Sequence, residues 1–269
     1  MPLIAALNSI ALVAVVPLGL TLLGLRHLTR WWLTAGALAA IALWLPRGPV
    51  AVLLVLPYGL LVLRLLGSGL RRLSSRDLAV VTALVAPTVA GSALLAERGG
   101  YHLFGFSFTI LALTVAHFHA VGFAAALIAS LAAGVGGRGA GGGGRAAAIA
   151  AGCVPAGLVI ILGGIFITPW LELLGTVVLT AGLWLISWST LRTSVDDRVA
   201  RVLFAIAAVV PLATMLLALD WALGRATGLP HLSITWMAAT HGAANLLGFA
   251  ICGLLAWRRL STKDSYGIT

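Results

Sequence analysis

Long runs of apolar residues, separated by short polar breaks, fill almost the whole chain. A helix rises about 1.5 Å per residue and the hydrocarbon layer is roughly 30 Å thick, so about 20 apolar residues make one crossing. The alternating segments of a membrane β-barrel are missing. The pattern therefore predicts an all-α, polytopic membrane helix bundle with about nine transmembrane helices, in a single domain over residues 1–269. The nine runs cover residues 3–25, 31–46, 49–66, 78–97, 104–133, 146–168, 170–192, 201–222 and 233–257.

Composition supports this class of protein, and the distribution of basic residues predicts the orientation of the bundle in the membrane. Of the 269 residues, 61% are hydrophobic and only 9% are charged, too few to cover the surface of a water-soluble domain. Arginine and lysine are retained on the cytoplasmic side during insertion. Only Arg47, Arg98 and Arg225 fall on one side of the predicted bundle, and fourteen basic residues fall on the other. The fourteen are Arg26, Arg30, Arg64, Arg71, Arg72, Arg76, Arg138, Arg145, Arg192, Arg198, Arg201, Arg258, Arg259 and Lys263.

The same charge pattern indicates what the protein contacts. Loops rich in basic residues alternate along the chain with loops that have few, and this alternation places the N-terminus outside and the C-terminus in the cytoplasm. Because the basic residues lie in short loops between apolar spans, they indicate contacts with the headgroups of membrane lipids and no role in binding nucleic acid.

The glycine-rich stretch over residues 134–145 is predicted to be a flexible cytoplasmic linker between the fifth and sixth helices. Glycine-rich turns can also present backbone amides to phosphate. This stretch, however, lacks the Gly-Lys-Ser/Thr ending and the preceding strand of a phosphate-binding loop.

Ionisable groups inside apolar spans are the informative positions of such a chain, because their burial in lipid is costly unless they are partnered. His117 and His119 lie near the middle of the fifth span. Two residues correspond to about 200° on an α-helix, so the two imidazoles face nearly opposite directions. They cannot chelate one ion together unless the helix is distorted. His117 is a catalytic candidate and His119 a substrate-binding candidate, with hydrogen bonding between helices as the alternative for each.

The last span adds His241 and Asn245, which are four residues apart and so share one helix face. His241 is expected near the depth of His117, because the fifth and ninth helices run in the same direction, so the two imidazoles are predicted to share a cavity in the outer half of the membrane. His241 is assigned as catalytic and Asn245 as substrate-binding.

Carboxylates gather at the predicted outer ends of the helices. Glu172 follows Pro169-Trp170 directly inside an apolar run, and Asp220 ends the eighth span. Glu172 and Asp220 are catalytic candidates near the mouth of the cavity, and Trp170 is a substrate-binding candidate whose alternative role is an interfacial anchor.

Polar and aromatic residues at helix ends also have ordinary structural interpretations. Glu97-Arg98 and Asp220 are typical of solvated helix ends, and His102 and His231 are expected to be exposed in outer loops. Tryptophans near span ends are expected to be interfacial anchors; they are Trp31, Trp32, Trp170, Trp188, Trp221 and Trp257.

Two stretches carry a family resemblance. HFHAVGF, from His117, and THGAANLLGFAICGLLAW, from Thr240, are similar to the YndJ-like family of bacterial polytopic membrane proteins. The resemblance covers the second half of the chain well and the first half in outline. It implies a multi-pass protein of the bacterial inner membrane and supports His117, His119, His241 and Asn245 as site residues, and it supplies no reaction.

These residues suit a membrane-embedded enzyme that acts on a lipophilic small molecule. Histidine can both give and take a proton near neutral pH, and a carboxyl group can serve as an acid, so isomerisation, cyclisation or hydrolytic ring opening is expected without a cofactor. One alternative is a proton-coupled transporter. Another is a metal-binding membrane protein that uses His117, His119 and His241, although no HxxxH spacing supports it.

The orientation gives the first testable prediction. A reporter fused after Thr269 should behave as cytoplasmic, because the fourteen basic residues and the C-terminus fall on the same side of the predicted bundle. An enzymatic reporter pair, one active only in the cytoplasm and one only outside it, measures this. An extracytoplasmic signal at this position would overturn the topology.

Overall fold

Helices account for most of the residues that the computed structural model describes, which are 2–73, 77–136, 142–193 and 195–266. These residues include no strand, so the all-α prediction is confirmed for them. Within these four ranges, nine long helices follow the nine predicted runs: α1 (Pro2–Leu22), α2 (Arg26–Ala42), α3 (Pro49–Leu70), α4 (Leu78–Gly99), α5 (Phe108–Gly134), α6 (Gly142–Ile167), α7 (Pro169–Leu191), α8 (Arg198–Thr227) and α9 (Ile234–Ser261).

Length distinguishes α2 from its neighbours. Within the described ranges, eight of the nine helices are long and apolar enough to cross a membrane, whereas α2 has 17 residues. At 1.5 Å per residue, α2 spans about 25 Å, slightly less than the hydrocarbon layer. It packs against both α1 and α3. The structure therefore confirms a bundle of about nine helices, and the orientation of the bundle stays a prediction.

The chain forms two compact units. Unit 1 contains Met1–Arg76 and Val81–Ala124, and unit 2 contains Asp77–Val80 and Ala125–Thr269. The chain passes between the units inside α4, at residues 80–81, and inside α5, at residues 124–125, ahead of the predicted linker 134–145. The centre of that linker, residues 137–141, lies outside the described residues.

In unit 1, the helices α1 and α2 form an antiparallel hairpin that turns at Gly24, whose φ is 73°. The backbones approach closely, since a Cβ on Gly36 would lie 2.7 Å from the carbonyl oxygen of Leu12. The indole Nε1 of Trp32 donates to the same oxygen at 3.1 Å. Trp32 is completely buried. The interfacial role predicted for Trp32 is therefore wrong. The prediction rested on the position of Trp32 near the end of a span, but α1 and α3 cover its ring.

A buried charge cluster closes one end of unit 1. Glu97 and Arg98 are 2% and 7% exposed, so the prediction of a solvated helix end is wrong for this pair. The Glu97 carboxylate accepts from Arg98 and, at 3.0 Å, from Arg47. The Arg47 guanidinium also lies over the Phe108 ring, 4.2 Å from its centroid. Arg98 Nη1 further donates to three carbonyl oxygens at and just beyond the C-terminal end of α2, those of Ala42, Leu43 and Leu45. This guanidinium satisfies carbonyls that a helix end leaves unpaired.

In unit 2, α6 and α7 pack backbone against backbone. Each helix contributes two glycines spaced seven residues apart, which are Gly157 and Gly164 on α6 and Gly175 and Gly182 on α7. A Cβ on Gly157 would lie 2.6 Å from the backbone nitrogen of Leu179. One on Gly164 would collide with the backbone of Glu172. Small residues at such positions let membrane helices approach closely.

The glycine contact gives a stability prediction. Gly164→Ala should lower the free energy of unfolding by about 1–3 kcal/mol, because the added methyl meets the α7 backbone, which cannot move aside as a side chain can. Gly152→Ala on the same helix is the matched control, since a Cβ there meets nothing within 4 Å. That change should leave stability equal or raise it by up to about 1 kcal/mol. Unfolding titrations in detergent micelles measure both, and equal effects would contradict the prediction.

Candidate functional site

In the part of the chain that the structure describes, three helices contain π-helical segments, in which the backbone departs from the regular α-helical repeat. These segments are Ala11–Val15 in α1, Phe118–Ala125 in α5, and Ala238–Gly242 and Asn245–Ile251 in α9. The last three fall on the two sequence stretches that carry the family resemblance. Because π-helical insertions concentrate at functional sites, the side chains at these segments are the first to consider.

His119 lies in the π-helical segment of α5 and is completely buried within unit 1. Its Nδ1 lies 2.8 Å from the carbonyl oxygen of Val115, and its Nε2 lies 3.1 Å from the hydroxyl of Tyr58. Because a carbonyl only accepts, Nδ1 carries the hydrogen. The neutral ring then accepts the Tyr58 hydroxyl proton at Nε2, and both nitrogens are satisfied.

The Tyr58–His119 pair belongs to a set of polar contacts that tie four helices of unit 1 together. The Trp32 ring meets Tyr58 edge to face at a centroid distance of 5.4 Å. Asn8 of α1 donates from Nδ2 to the carbonyl oxygen of Ala112 in α5 at 2.9 Å. Its own Oδ1 is buried with no partner among the described residues. Sequence reasoning missed Asn8 and Tyr58, although a polar group inside an apolar run was a signal that could have found them.

His117 has a different environment from His119. It is half-buried, the last α-helical residue before the π-helical segment, and its ring meets that of Phe118 at a centroid distance of 5.9 Å. The two histidines therefore have separate surroundings, in keeping with the angle expected between them.

In unit 2, His241, Asn245 and Thr214 form one hydrogen-bonded cluster between α8 and α9. His241 Nδ1 lies 2.8 Å from the carbonyl oxygen of Thr214, and so Nδ1 carries the hydrogen. Asn245 Nδ2 lies 3.3 Å from Nδ1 and 3.4 Å from Nε2. Because Nδ2 is almost equidistant from the two ring nitrogens, the amide lies over the face of the imidazole and does not occupy the in-plane lone pair of Nε2. The Thr214 hydroxyl donates to Asn245 Oδ1 at 2.9 Å.

The part of α8 around Pro211 contacts both α7 and α9. Trp184 of α7 donates from Nε1 to the carbonyl oxygen of Pro211 at 3.2 Å. Gly248 of α9 allows close approach, because a Cβ there would lie 2.7 Å from a methyl of Val210. The His241 cluster is thus anchored where α7 and α9 both bind α8.

The carboxylates lie away from His241. Glu172 pairs with Arg225 at 3.4 Å, and Asp220 is exposed. Arg225 follows Thr214 by eleven residues on α8, about 16 Å along the axis, so the arginine that pairs with Glu172 begins about three turns from the carbonyl that holds the His241 ring. Trp170 is 59% exposed.

The predicted pairing of His117 with His241 joins residues of different units, and it stays a prediction. For a metal, the described ranges hold no group of three or more His, Cys, Asp or Glu side chains placed to bind one. His102 and His231 are both exposed, as expected for loop residues.

The family model described as YndJ-like protein matches residues 6–249 of this chain. The chain belongs to the YndJ-like family. The match begins ahead of Asn8, so the likeness of this YndJ-like protein to its family extends over the first half as well as over the two motifs. No curated protein and no solved structure matches the chain.

The buried Tyr58–His119 bond gives a third prediction. Tyr58→Phe should lower the free energy of unfolding by about 1–2 kcal/mol, the upper end for a hydrogen bond between side chains in a membrane bundle, because Nε2 of the completely buried His119 loses its donor. Tyr101→Phe is the matched control, since Tyr101 is 64% exposed. Detergent unfolding titrations compare the two, and an unchanged Tyr58→Phe protein would show that the bond contributes nothing to stability.

Proposed function

We propose that this YndJ-like protein is a membrane-embedded enzyme of the bacterial inner membrane, acting on a lipophilic small molecule by acid–base chemistry at His241. The reaction class is isomerisation, cyclisation or hydrolytic ring opening. The observation that supports this proposal is the way in which the His241 ring is held, half-buried between α8 and α9.

A general base needs a fixed ring with an available lone pair. The bond from Nδ1 to the Thr214 carbonyl fixes the tautomer and orientation of the imidazole, as a carboxylate does in a catalytic triad. Nε2 then carries the lone pair, and the Asn245 amide, which lies over the ring face 3.3 Å from Nδ1 and 3.4 Å from Nε2, does not occupy it. A substrate proton could therefore approach this lone pair without displacing the Asn245 amide.

Comparison with His119 favours His241 as the general base. The Nε2 atom of His119 is engaged by Tyr58 at 3.1 Å and the residue has no exposed surface, so a substrate would first have to displace packed helices. We therefore assign His119 a role in holding α3 to α5. His117, which is half-buried, remains a second catalytic candidate.

The outer carboxylates fit supporting roles. The exposed Asp220 and the Arg225 that pairs with Glu172 of α7 lie beyond Thr214 along α8. From there they can contact a polar part of a substrate or guide its entry, and the proton transfer itself is assigned to His241.

The fourth prediction concerns turnover. Purified protein in lipid nanodiscs is incubated with a lipophilic extract of bacterial membranes, and untargeted mass spectrometry with chromatography detects compounds that change mass or retention time. His241→Ala should slow that change by about 10² to 10⁴-fold, the usual contribution of general acid–base catalysis. It should leave folding nearly intact, because hydrogen bonds between side chains in membranes average about 0.6 kcal/mol.

The control is His27→Ala, which removes an exposed imidazole in the first turn of α2. This variant should keep the wild-type rate. An extract that the wild-type protein leaves unaltered, or a rate that His241→Ala does not change, would contradict the proposal. Uptake of an unaltered compound into sealed vesicles would favour the transporter instead.

A further inference from the structure

The charge cluster at the end of unit 1 contains more positive than negative charge. The sequence of unit 1 holds eight arginines and a single acidic residue, which is Glu97. In the cluster, that one carboxylate faces two guanidinium groups, those of Arg47 and Arg98, and both stay protonated at any physiological pH. One positive charge is therefore in excess. At the edge of an apolar bundle such a charge is costly unless an anion from outside the protein pairs with it.

The hydrogen bonds show which arginine carries the excess charge. Arg98 donates to both oxygens of Glu97, and its Nη1 donates to the three carbonyl oxygens at the end of α2. Arg47 reaches only Oε1 of Glu97, from Nε and from Nη2, at 3.0 Å in each case. The Arg47 side chain is 37% exposed, against 8% for Arg98. The excess charge therefore lies on Arg47, at the surface of the cluster.

The neighbouring helix ends do not neutralise Arg47. Two helices, α2 and α4, end beside Arg98, and the carbonyl oxygens of a helix end carry partial negative charge. Arg47 instead directly precedes Gly48, the N-terminal cap of α3, and its guanidinium lies over the ring of Phe108, the first residue of α5. The first turn of a helix carries partial positive charge. The arginine with the weaker hold on Glu97 thus also lies beside the positive helix ends.

The ring of Phe108 keeps the Arg47 guanidinium in place. The guanidinium carbon lies 4.2 Å from the ring centroid, and the centroid of the His102 imidazole lies 4.1 Å from it. Two groups so close to one centroid cannot share a face of the ring, so Arg47 and His102 lie on opposite faces. The imidazole is itself fixed, since its Nδ1 lies 2.9 Å from the carbonyl oxygen of Phe106. Arg47 is therefore positioned before any ligand arrives, which lowers the entropic cost of binding one.

Exposed aromatic side chains lie in the two connections that form this cluster. Trp44, three residues before Arg47, is 59% exposed, and Tyr101 and Phe104, between α4 and α5, are 64% and 73% exposed. Phe104 has a φ of 53°, in the left-handed region that phenylalanine rarely adopts. Aromatic residues where transmembrane helices end are typical of the headgroup level of a membrane. A phospholipid offers both a phosphate for the arginine and apolar surface for the rings.

We propose that Arg47 is the centre of a binding site for an anionic phospholipid, on the predicted outer side of the bundle. The headgroup phosphate pairs with the Arg47 guanidinium, whose planar set of donors suits phosphate oxygens. The exposed rings of Trp44, Tyr101 and Phe104 contact the glycerol backbone and the upper part of the acyl chains. All of these residues belong to unit 1, so the inference does not depend on chemistry at His241 in unit 2.

The wild-type protein contains a matched internal control for this site. Arg225 is 45% exposed and also contacts a carboxylate, that of Glu172, but no second arginine of the described residues contacts that group. Protein in micelles of an uncharged detergent is treated with phenylglyoxal, which modifies guanidinium groups, and peptide mass spectrometry gives the labelling rate of each arginine. Phosphatidylglycerol at about ten times its dissociation constant should slow the labelling of Arg47 about tenfold and leave that of Arg225 unchanged.

Variants then measure the affinity of the site by native mass spectrometry of delipidated protein titrated with phosphatidylglycerol. Arg47→Gln should weaken binding about fivefold or more, the usual contribution of one basic residue near anionic lipid. Arg47→Lys keeps the charge and should retain most of the affinity, and Arg225→Gln should leave it nearly unchanged. The basic residues on the predicted cytoplasmic side are the same in all of these proteins, so lipid bound there cancels in the comparison.

Equal protection of Arg47 by phosphatidylcholine would overturn the preference for an anionic lipid. Equal protection by inorganic phosphate would overturn the lipid in favour of a soluble anion. Labelling of Arg47 that no lipid slows, or an affinity that Arg47→Gln does not change, would remove the site altogether. Because the labelling experiment uses the wild-type protein, it decides the matter even if Arg47→Gln fails to fold.

Discussion

The structure depends on one constraint, which is that a polar group inside an apolar bundle is costly to bury unless it finds a partner within the protein. Main-chain carbonyl oxygens meet this need repeatedly. The carbonyl of Leu12 accepts from Trp32, that of Val115 from His119, and that of Thr214 from His241. Each bond fixes the orientation of a ring. Two of them also join different helices, so the same interactions that satisfy polar groups determine how the helices pack.

The two histidine clusters meet this constraint in different ways. The difference distinguishes a structural histidine from a candidate catalytic one. In unit 1, His119 uses both ring nitrogens in short bonds and is completely enclosed. In unit 2, His241 has one short bond and one long contact, and part of its surface is exposed. A closed cluster stabilises a bundle, and an open one can exchange a proton with a bound molecule.

The arginines at the predicted outer side obey the same constraint. Arg47 and Arg98 share the Glu97 carboxylate, and Arg225 pairs with Glu172. Arginine there opposes the usual retention of positive charge in the cytoplasm. Pairing with a carboxylate removes most of the net charge, and Arg98 also binds the carbonyls at the C-terminal end of α2. Glu172 thus has a structural partner as well as a candidate role at the site.

The sequence by itself determined the all-α bundle of about nine helices, because the length of an apolar run and the thickness of the bilayer are properties of the chain and the solvent alone. It also directed attention to His119, His241 and Asn245, since an ionisable group in an apolar run is conspicuous without coordinates. Tertiary structure decided which groups meet. Contacts between helices far apart in sequence bury Trp32 and Glu97. Such contacts also place Tyr58 against His119 and the Thr214 carbonyl against His241. A position along one helix gives depth, but only the packing of neighbouring helices decides whether that position faces lipid or a hydrogen-bond partner.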